Sequence, residues 1–518
     1  MKKSVISGAS ILALAIASPA MAQNNTSQVD QLGDNLTATV TQSGQGDSST
    51  ILQEAVDNVA TVNQSGGLGG TSDITQTGVA NNATVNQTDD GDDAFFDPNN
   101  VPPSSISTVN QSGDNNTATV DQNTQTQLFP NTSTINQSGS NNIAAASQFD
   151  DEQSSLIEQS SDGNFASVSQ GVSQSGTDTS FNNDSQVFQG GDGSHSATVS
   201  QSGAVNSSLV TQGSVGQTAS VDQSGSANNS LVDQAGDGNN FATVSQAGFS
   251  GSATVNQTGN ANGEDATINQ LASASNNSAT INQTGDSAAG GPGNGNIASI
   301  TQGGGDGNTA TTTQTGTAQL ATVVQDGSGN SSLIDQSNDA NIADVAQTGD
   351  DNESEIVQVG DNNFTGVSNS VFVTQIGNGN DSFVVAQNGD GSNTVDVDQT
   401  GDLNVSNIAQ GAGLAAGNTI TLAQNGTGNT STINQALVSV SDGNRVTASQ
   451  SGENNSSLID QTGNSNEIDL LQDGIGNAST IMQTGSSNAA SVTQTGMDDT
   501  STVNQTGTGN TATVTQGM

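Results

Sequence analysis

The chain has 518 residues, of which only 30% are hydrophobic, and it contains no Cys, Trp or Tyr. Its formal net charge of -47 excludes binding to nucleic acid or anionic lipid by charge attraction. There is no cysteine for a disulfide framework and too little large apolar surface for a conventional core. Stability therefore has to come from repetition or assembly.

Residues 1–22 have the features of a secretory signal peptide. Two lysines precede an apolar run over residues 11–17, and the small-residue segment Ala20-Met21-Ala22 follows it. Cleavage after Ala22 leaves residues 23–30 as a short N-terminal segment and Arg445 as the only fixed cation. No other segment approaches the roughly 18 continuous apolar residues of a membrane span. The sequence predicts an exported chain without a transmembrane segment.

Glutamine recurs at a near-fixed spacing from Gln31 to Gln516, and most of these anchors are 11 or 12 residues apart. The residue two positions before the anchor is Val, Ile or Leu, with the exceptions Ala146, Thr312 and Ala448. A disordered low-complexity segment has no physical reason to keep such a column.

The fullest repeat unit alternates between two kinds of residue. It reads Gln111-x-Gly113-x-x-Asn116-x-Ala118-x-Val120-x-Gln122 and returns at 483–494 and 505–516. A period of two predicts a β-strand with one enclosed face, and the Gln-x-Gly-x-x segment supplies residues that favour a tight turn. Each unit is therefore predicted to be one strand and one turn.

Two such units make a strand-turn-strand pair, and successive pairs place residues 22 apart above one another. This predicts an all-β fold, a two-sheet β-solenoid of about 20 stacked, amyloid-like rungs, over residues 31–518. Departures from the spacing, which also hold the prolines of the repeat region, predict loop insertions near 88–105, 123–132, 171–185, 284–296, 359–370, 411–419 and 436–446.

Two inward columns follow from this stacking. The apolar core column is represented by Val40, Val62, Val120, Val221, Val244, Ile281, Val323, Ile459, Val492 and Val514. Amides both donate and accept, so stacked Asn and Gln side chains can hydrogen-bond along the axis. These predicted ladder residues include Asn116, Gln122, Asn455, Gln461, Asn488, Gln494, Asn510 and Gln516.

The repeat unit resembles the curlin repeat of the curli major subunit and nucleator family across residues 31–516. The resemblance implies an extracellular functional amyloid of a Gram-negative-type bacterium, a pilus-like fimbrium that serves cell adhesion and the biofilm matrix. It implies self-association into fibres, with a curli-type nucleator and an outer-membrane secretion pore as partners. It also implies that inward amides direct assembly and that acidic residues before the anchor act as gatekeepers, here Asp121, Asp222, Asp233, Asp335 and Asp460.

The repeats begin soon after the predicted signal peptide and continue to Gln516. Soluble solenoids carry terminal caps, and open strand edges template further strands, so head-to-tail polymerisation is expected. A surface-attached adhesive rod is an alternative. A non-polymerising solenoid that binds ice or another surface is a second alternative, based on the outward pairs Thr37/Thr39, Thr117/Thr119 and Thr511/Thr513.

The sequence predicts no catalytic, cofactor-binding or metal site. His195 is the only imidazole and is expected to be a solvated loop residue. The segment 396–407 lacks the last acidic ligand of an EF-hand, and 303–308 resembles a calcium β-roll turn without its nine-residue repetition. Leu209 and Leu231 are 22 residues apart at outward positions, and we hypothesise that they form a lateral contact between fibres.

Overall fold

The computed structural model describes residues 24–66, 69–89, 105–124, 130–171, 181–259, 263–285, 295–359, 369–387, 393–411, 417–435 and 443–517. The predicted signal peptide and the central part of every predicted loop insertion lie outside these described residues. The chain divides into two compact units, Met1–Ser250 and Gly251–Met518, called here the N-terminal and C-terminal units.

The N-terminal unit contains eighteen described strands. They are β1 (Thr26–Asp34), β2 (Thr37–Gln42), β3 (Ser48–Val56), β4 (Val59–Gly66), β5 (Thr71–Gln76), β6 (Asn82–Asp89), β7 (Ile106–Gln111), β8 (Thr117–Thr124), β9 (Thr132–Gln137), β10 (Ile143–Phe149), β11 (Ser154–Gln159), β12 (Phe165–Gln170), β13 (Asp184–Gln189), β14 (Ser196–Gln201), β15 (Ser207–Gln212), β16 (Thr218–Gln223), β17 (Asn229–Gln234) and β18 (Phe241–Gln246).

The C-terminal unit contains twenty-two described strands. They are β19 (Ser252–Gly259), β20 (Asp265–Gln270), β21 (Ser278–Gly285), β22 (Ile297–Gly303), β23 (Thr309–Thr317), β24 (Leu320–Asp326), β25 (Ser331–Asp339), β26 (Ile342–Thr348), β27 (Glu353–Val359), β28 (Ser370–Ile376), β29 (Asp381–Gln387), β30 (Thr394–Asp402), β31 (Val405–Gln410), β32 (Thr419–Thr427), β33 (Thr430–Gln435), β34 (Arg445–Glu453), β35 (Ser456–Asn464), β36 (Glu467–Ile475), β37 (Ala478–Ser486), β38 (Ala489–Met497), β39 (Thr500–Thr508) and β40 (Thr511–Gly517).

Within each unit, odd-numbered strands pair in parallel with the next odd-numbered strand, and even-numbered strands do the same. In the N-terminal unit β1 pairs with β3 and β2 with β4, and in the C-terminal unit β37 pairs with β39 and β38 with β40. The described residues contain no helix. The prediction of an all-β, two-sheet solenoid is confirmed for each unit.

The register keeps equivalent residues of the repeat directly opposite one another. Gln461 lies opposite Gln483, 22 residues later. Where an insertion lengthens the chain, the register is unchanged: Gln87 lies opposite Gln122, 35 residues later. Parallel pairing in one register follows because a slip by one residue would turn every enclosed side chain to the solvent.

The turn between β7 and β8 shows why the repeat contains glycine. Asn115 has a positive φ of 56°, a conformation that Asn tolerates better than most residues. A Cβ atom added to Gly113 would collide with the carbonyl oxygen of Gly139 in the next turn. Glycine therefore lets successive turns approach as closely as successive strands.

Candidate functional site

The glutamine ladder joins the rungs and also joins the two sheets. The Gln122 Nε2 donates to Oε1 of Gln148 at 2.8 Å and to the backbone oxygen of Ile106 at 3.1 Å. Ile106 begins β7 in the opposite sheet, whereas Gln148 lies in the next strand of the same sheet. The Gln122 Oε1 accepts from Nε2 of Gln87 at 2.8 Å. The Gln122 amide therefore makes three hydrogen bonds to other protein groups.

The C-terminal unit repeats this arrangement at the predicted ladder residues Gln461 and Gln494. The Gln461 Nε2 donates to Oε1 of Gln483 at 3.0 Å, and the Gln494 Nε2 donates to Oε1 of Gln516 at 3.0 Å. In both, the donor points to the later rung. The ladder is therefore polar, with a carbonyl edge at one end and an N–H edge at the other.

The outermost described rungs show the two different edges. Gln31 and Gln42 donate to Gln53 and Gln64, and their own Oε1 atoms accept no ladder bond from the described residues. At the last rung of the C-terminal unit, Gln516 accepts from Gln494 and, among the described residues, donates only to the backbone oxygen of Thr500, at 2.9 Å. The two edges are complementary, because one presents acceptors and the other donors.

Asparagine forms a second ladder at the residue immediately before a strand, called here the corner position. The Asn116 Oδ1 accepts the backbone N–H of Asn142 at 2.9 Å, and its Nδ2 donates to the oxygen of Gly139 at 2.7 Å. The side chain thus provides hydrogen-bond partners for one backbone N–H and one backbone oxygen of the next turn. It stabilises the close stacking that Gly113 permits.

The remaining predicted asparagines make the same kind of contact at the two corners of the C-terminal unit. The Asn455 Oδ1 accepts the N–H of Asn477 at 3.1 Å, and the Asn488 Oδ1 accepts the N–H of Asn510 at 3.0 Å. Asn455 and Asn488 are buried, whereas Asn510, before the last described strand, is exposed.

The Val and Ile column lies in the centre of the core. Val62, Val120, Val221, Val244, Ile281, Val323, Ile459 and Val492 are buried. Val40 and Val514 are only half-buried, because β2 and β40 each have one paired neighbour among the described strands of their unit. Thr312 is fully buried between Ile281 and Ile334, and its hydroxyl has no hydrogen-bond partner among the described residues.

One rung of the C-terminal unit breaks the glutamine ladder. Ala386 lies opposite both Gln358 and Gln410 and is buried. The Gln410 Oε1 is buried without a partner among the described residues. Counting along the sequence assigns the anchor to Gln387, one residue later, and therefore predicts no break in the ladder here.

The prediction that His195 is a solvated loop residue is wrong, since its side chain is only 1% exposed. It occupies the corner position before β14, in register with Asn164 and Gln217. The imidazole Nε2 lies 2.7 Å from the oxygen of Gly190. A planar ring with one donor and one acceptor replaces an amide here, and hydrogen bonding explains its burial.

A buried acid at another corner position, Glu264 before β20, was also missed. Glu264 is 1% exposed, and the Asn296 Nδ2 donates to its Oε1 at 3.4 Å. Burial raises its pKa to about 8, although the bonds from Asn296 and the backbone of Gly285 oppose this. Both Glu264 and His195 stand six residues before an anchor glutamine, where the repeat unit has Asn116, and this spacing is the signal that could have found them.

The two sheets also differ in a way that sequence reasoning missed. In even-numbered strands the buried position four residues before the anchor is often Ala, such as Ala118, whereas in odd-numbered strands it is often Ser. Some of these serines bond along the stack, as the Ser155 hydroxyl does to Ser133 at 3.0 Å. The signal is an Ala and Ser alternation between successive units.

The outward faces carry mixed side chains. Leu209 and Leu231 lie directly opposite one another in β15 and β17 and are half-buried. In the C-terminal unit Thr254, Thr280 and Thr311 stack in register, but Leu333 follows them. A hydroxyl column of this kind is interrupted after three rungs.

The acidic residues assigned a gatekeeper role lie on the same outward faces. They are half-buried or exposed and are Asp121, Asp222, Asp233, Asp335 and Asp460. Asp121 accepts from Nδ2 of Asn86 at 2.6 Å, and Asp460 accepts from Nδ2 of Asn434 at 2.7 Å. Such contacts order an outward carboxylate without placing it in the core.

Neither a metal cluster nor a membrane helix is found in the part of the chain that the structure describes. No group of three or more His, Cys, Asp or Glu side chains there could hold a metal ion. The described residues also contain no helix long and apolar enough to cross a membrane.

The repeat itself matches a known family model. The model of the curlin associated repeat matches five segments, residues 33–66, 218–248, 305–337, 442–474 and 463–496. No curated protein matches the sequence. Four of the predicted ladder residues lie within the matched segments, and they are Asn455, Gln461, Asn488 and Gln494.

Proposed function

Because the chain is a curlin-repeat protein, we propose that it is an extracellular structural protein, a curli-like fibre subunit or surface adhesin that assembles head to tail. In this proposal it supports cell adhesion and the biofilm matrix and has no catalytic role. A secretory signal over residues 1–22, an outer-membrane secretion pore and a curli-type nucleator belong to the same proposal.

The observation that carries the proposal is the complementarity of the two ladder edges. In the N-terminal unit Gln31 and Gln42 present amide oxygens. In the C-terminal unit Gln505 and Gln516 present N–H groups whose only acceptors among the described residues are the backbone oxygens of Ala489 and Thr500. A second copy placed on either edge continues the ladder in one orientation. Strand edges with unpaired backbone groups are templates for further strands.

The net charge predicts how assembly depends on salt. Rungs that carry like charges repel one another. Salt screening shortens the range of this repulsion from about 30 Å at 0.01 M salt to about 8 Å at 0.15 M. For the chain without residues 1–22, we expect a thioflavin lag phase that shortens several-fold over this range and fibres in electron micrographs. A chain that stays monomeric at every salt concentration would refute the proposal.

We further propose that Leu209 and Leu231 form a small lateral contact between fibres. Their direct stacking on an outward face supports this, because a stacked apolar pair on a strongly acidic surface favours burial against a second fibre. The double variant Leu209→Asp/Leu231→Asp is expected to form single fibres where the wild type forms bundles. Bundling equal to wild type in electron micrographs would disprove the contact; Thr211→Asp, on the same face, is the charge control.

A further inference from the structure

At the corner that contains His195, an imidazole stands where most corners of the N-terminal unit have an asparagine amide. In the preceding rung, the Asn164 Oδ1 accepts the backbone N–H of His195 at 3.0 Å. In the following rung, the backbone N–H of Gln217 points to Nδ1 of His195 at 3.4 Å. Asn240 does not continue the ladder from Gln217, since its N–H donates to Gly238 at 3.1 Å.

The partners of the ring determine its tautomer. The Gly190 backbone oxygen can only accept, so the ring Nε2 that lies 2.7 Å from it carries a hydrogen. The Gln217 backbone N–H can only donate, so Nδ1 is the unprotonated acceptor. The neutral ring therefore performs the two tasks of an asparagine amide at a corner position.

A second proton cannot be added without breaking this arrangement. It would place a hydrogen on Nδ1, opposite the N–H of Gln217, so that two donors would face one another. The ring is buried, and no described residue offers another acceptor at that nitrogen. The ring must then leave the corner, and the Gln217 N–H loses its partner.

We propose that His195 is an acid-sensitive latch: its neutral ring closes the corner between β12, β14 and β16, and protonation opens it. The Gln217 side chain does not continue the corner ladder into the next rung. Its Oε1 is buried without a partner among the described residues, so the following rung does not compensate for a lost contact.

Among the described residues, the charged groups around the latch are carboxylates on exposed or half-buried side chains. Asp192 lies on the same turn and Asp162 on the preceding one, and both are exposed, as is Asp237 beyond Gln217. Asp184 begins β13 and is half-buried, and Asp222 points outward from β16. Exposed carboxylates favour the imidazolium weakly, because water and salt screen them.

Burial has the larger effect on the ring. It lowers the pKa of His195 below 6.5, and the hydrogen bond to Gly190 opposes this shift. A depressed pKa in the folded state means that the unfolded chain binds the proton more readily. The contribution of the latch to stability is therefore complete above pH 6.5 and is lost as the pH falls through the lower pKa of the folded state.

One histidine in the chain makes the first test direct. Full-length protein labelled with ¹⁵N-histidine gives the ring signals of His195 alone. The expected spectrum above pH 7 is that of the Nε2–H tautomer, and the ring should titrate below pH 6.5. An Nδ1–H tautomer, or titration at 6.5 or above, overturns the proposal.

Hydrogen exchange of peptides that cover residues 214–223 tests the opening. After correction for intrinsic exchange, protection in the wild type should fall about tenfold from pH 7.5 to pH 5.0. His195→Asn restores the common corner residue and should keep its protection at both pH values. The peptide over 225–234, at the opposite corner, is the internal control.

The controls separate the latch from general acid effects. Acid loss of protection that is equal in His195→Asn, or equal over 225–234, overturns the proposal. His195→Gln provides a second amide in case asparagine does not fit, and it should also remove the pH dependence. These measurements concern the soluble chain and do not depend on fibre formation.

Discussion

Replacement of Gln189 by leucine is expected to lower the stability of the surrounding rungs of the N-terminal unit by about 3–5 kcal/mol. The Gln189 Nε2 donates to Oε1 of Gln212 at 2.8 Å and to the oxygen of Phe165 at 2.9 Å, and its Oε1 accepts from Gln159 at 2.8 Å. Leucine has a similar volume but satisfies none of these contacts. Each buried polar group left without a partner costs about 1–3 kcal/mol.

The same substitution three residues earlier is the matched control. Gln186 lies on the same strand, β13, but points outward, is half-buried and bonds only locally, to Asp184 at 3.2 Å. Gln186→Leu should therefore change stability by less than about 0.5 kcal/mol. Hydrogen exchange of β11, β13 and β15 measures both variants, and a loss of protection of more than about a hundredfold is expected for Gln189→Leu alone. Equal protection in the two variants would contradict a structural role of the ladder.

Replacement of Glu264 by glutamine should make the C-terminal unit stable at alkaline pH. Burial raises the pKa of Glu264 from 4.5 to about 8, so the folded state prefers the protonated acid. This preference contributes fully to the stability of the folded state below pH 4.5, and the contribution is lost as the pH rises through 8. On the order of 5 kcal/mol separates the two limits. Glutamine has the same shape and carries no charge at any pH.

The measurement is the melting temperature of the unit between pH 5 and pH 9. The wild type is expected to melt at a lower temperature at pH 9, whereas Glu264→Gln should melt at nearly the same temperature at both. Glu453→Gln removes an exposed carboxylate in β34 and should leave the wild-type pH dependence intact. If wild type and Glu264→Gln respond identically to pH, the buried acid does not control stability.

The repeat made the architecture predictable. Strand direction, the enclosed and exposed faces, and the register of Gln122 opposite Gln148 all follow from a local period of two and a glutamine spacing that recurs. An irregular repeat does not change the predicted register, because every copy of the repeat has to stack on another copy. The insertion between Gln87 and Gln111 therefore left the register of β6 and β8 unaffected.

Exceptions within the repeat were harder to interpret. His195 and Glu264 stand at corner positions, but His195 was expected to be solvated and Glu264 was not singled out. Composition says nothing about which partner a neighbouring turn supplies. Ala386 shows the same difficulty, because the register of β29 places an alanine, and not a glutamine, opposite Gln358. A periodic pattern describes the average unit, whereas a single exception acts through its own contacts.

The amino-acid sequence by itself determined that the chain forms short strands, which side chains of each strand are enclosed, and which residues stack, since these properties repeat with the unit. Only the tertiary structure decided the direction of the amide ladder, the burial of His195 and Glu264, and the backbone groups that they contact. Hydrogen bonds depend on the position of a partner from another rung to within a few tenths of an ångström, and no local pattern specifies that position.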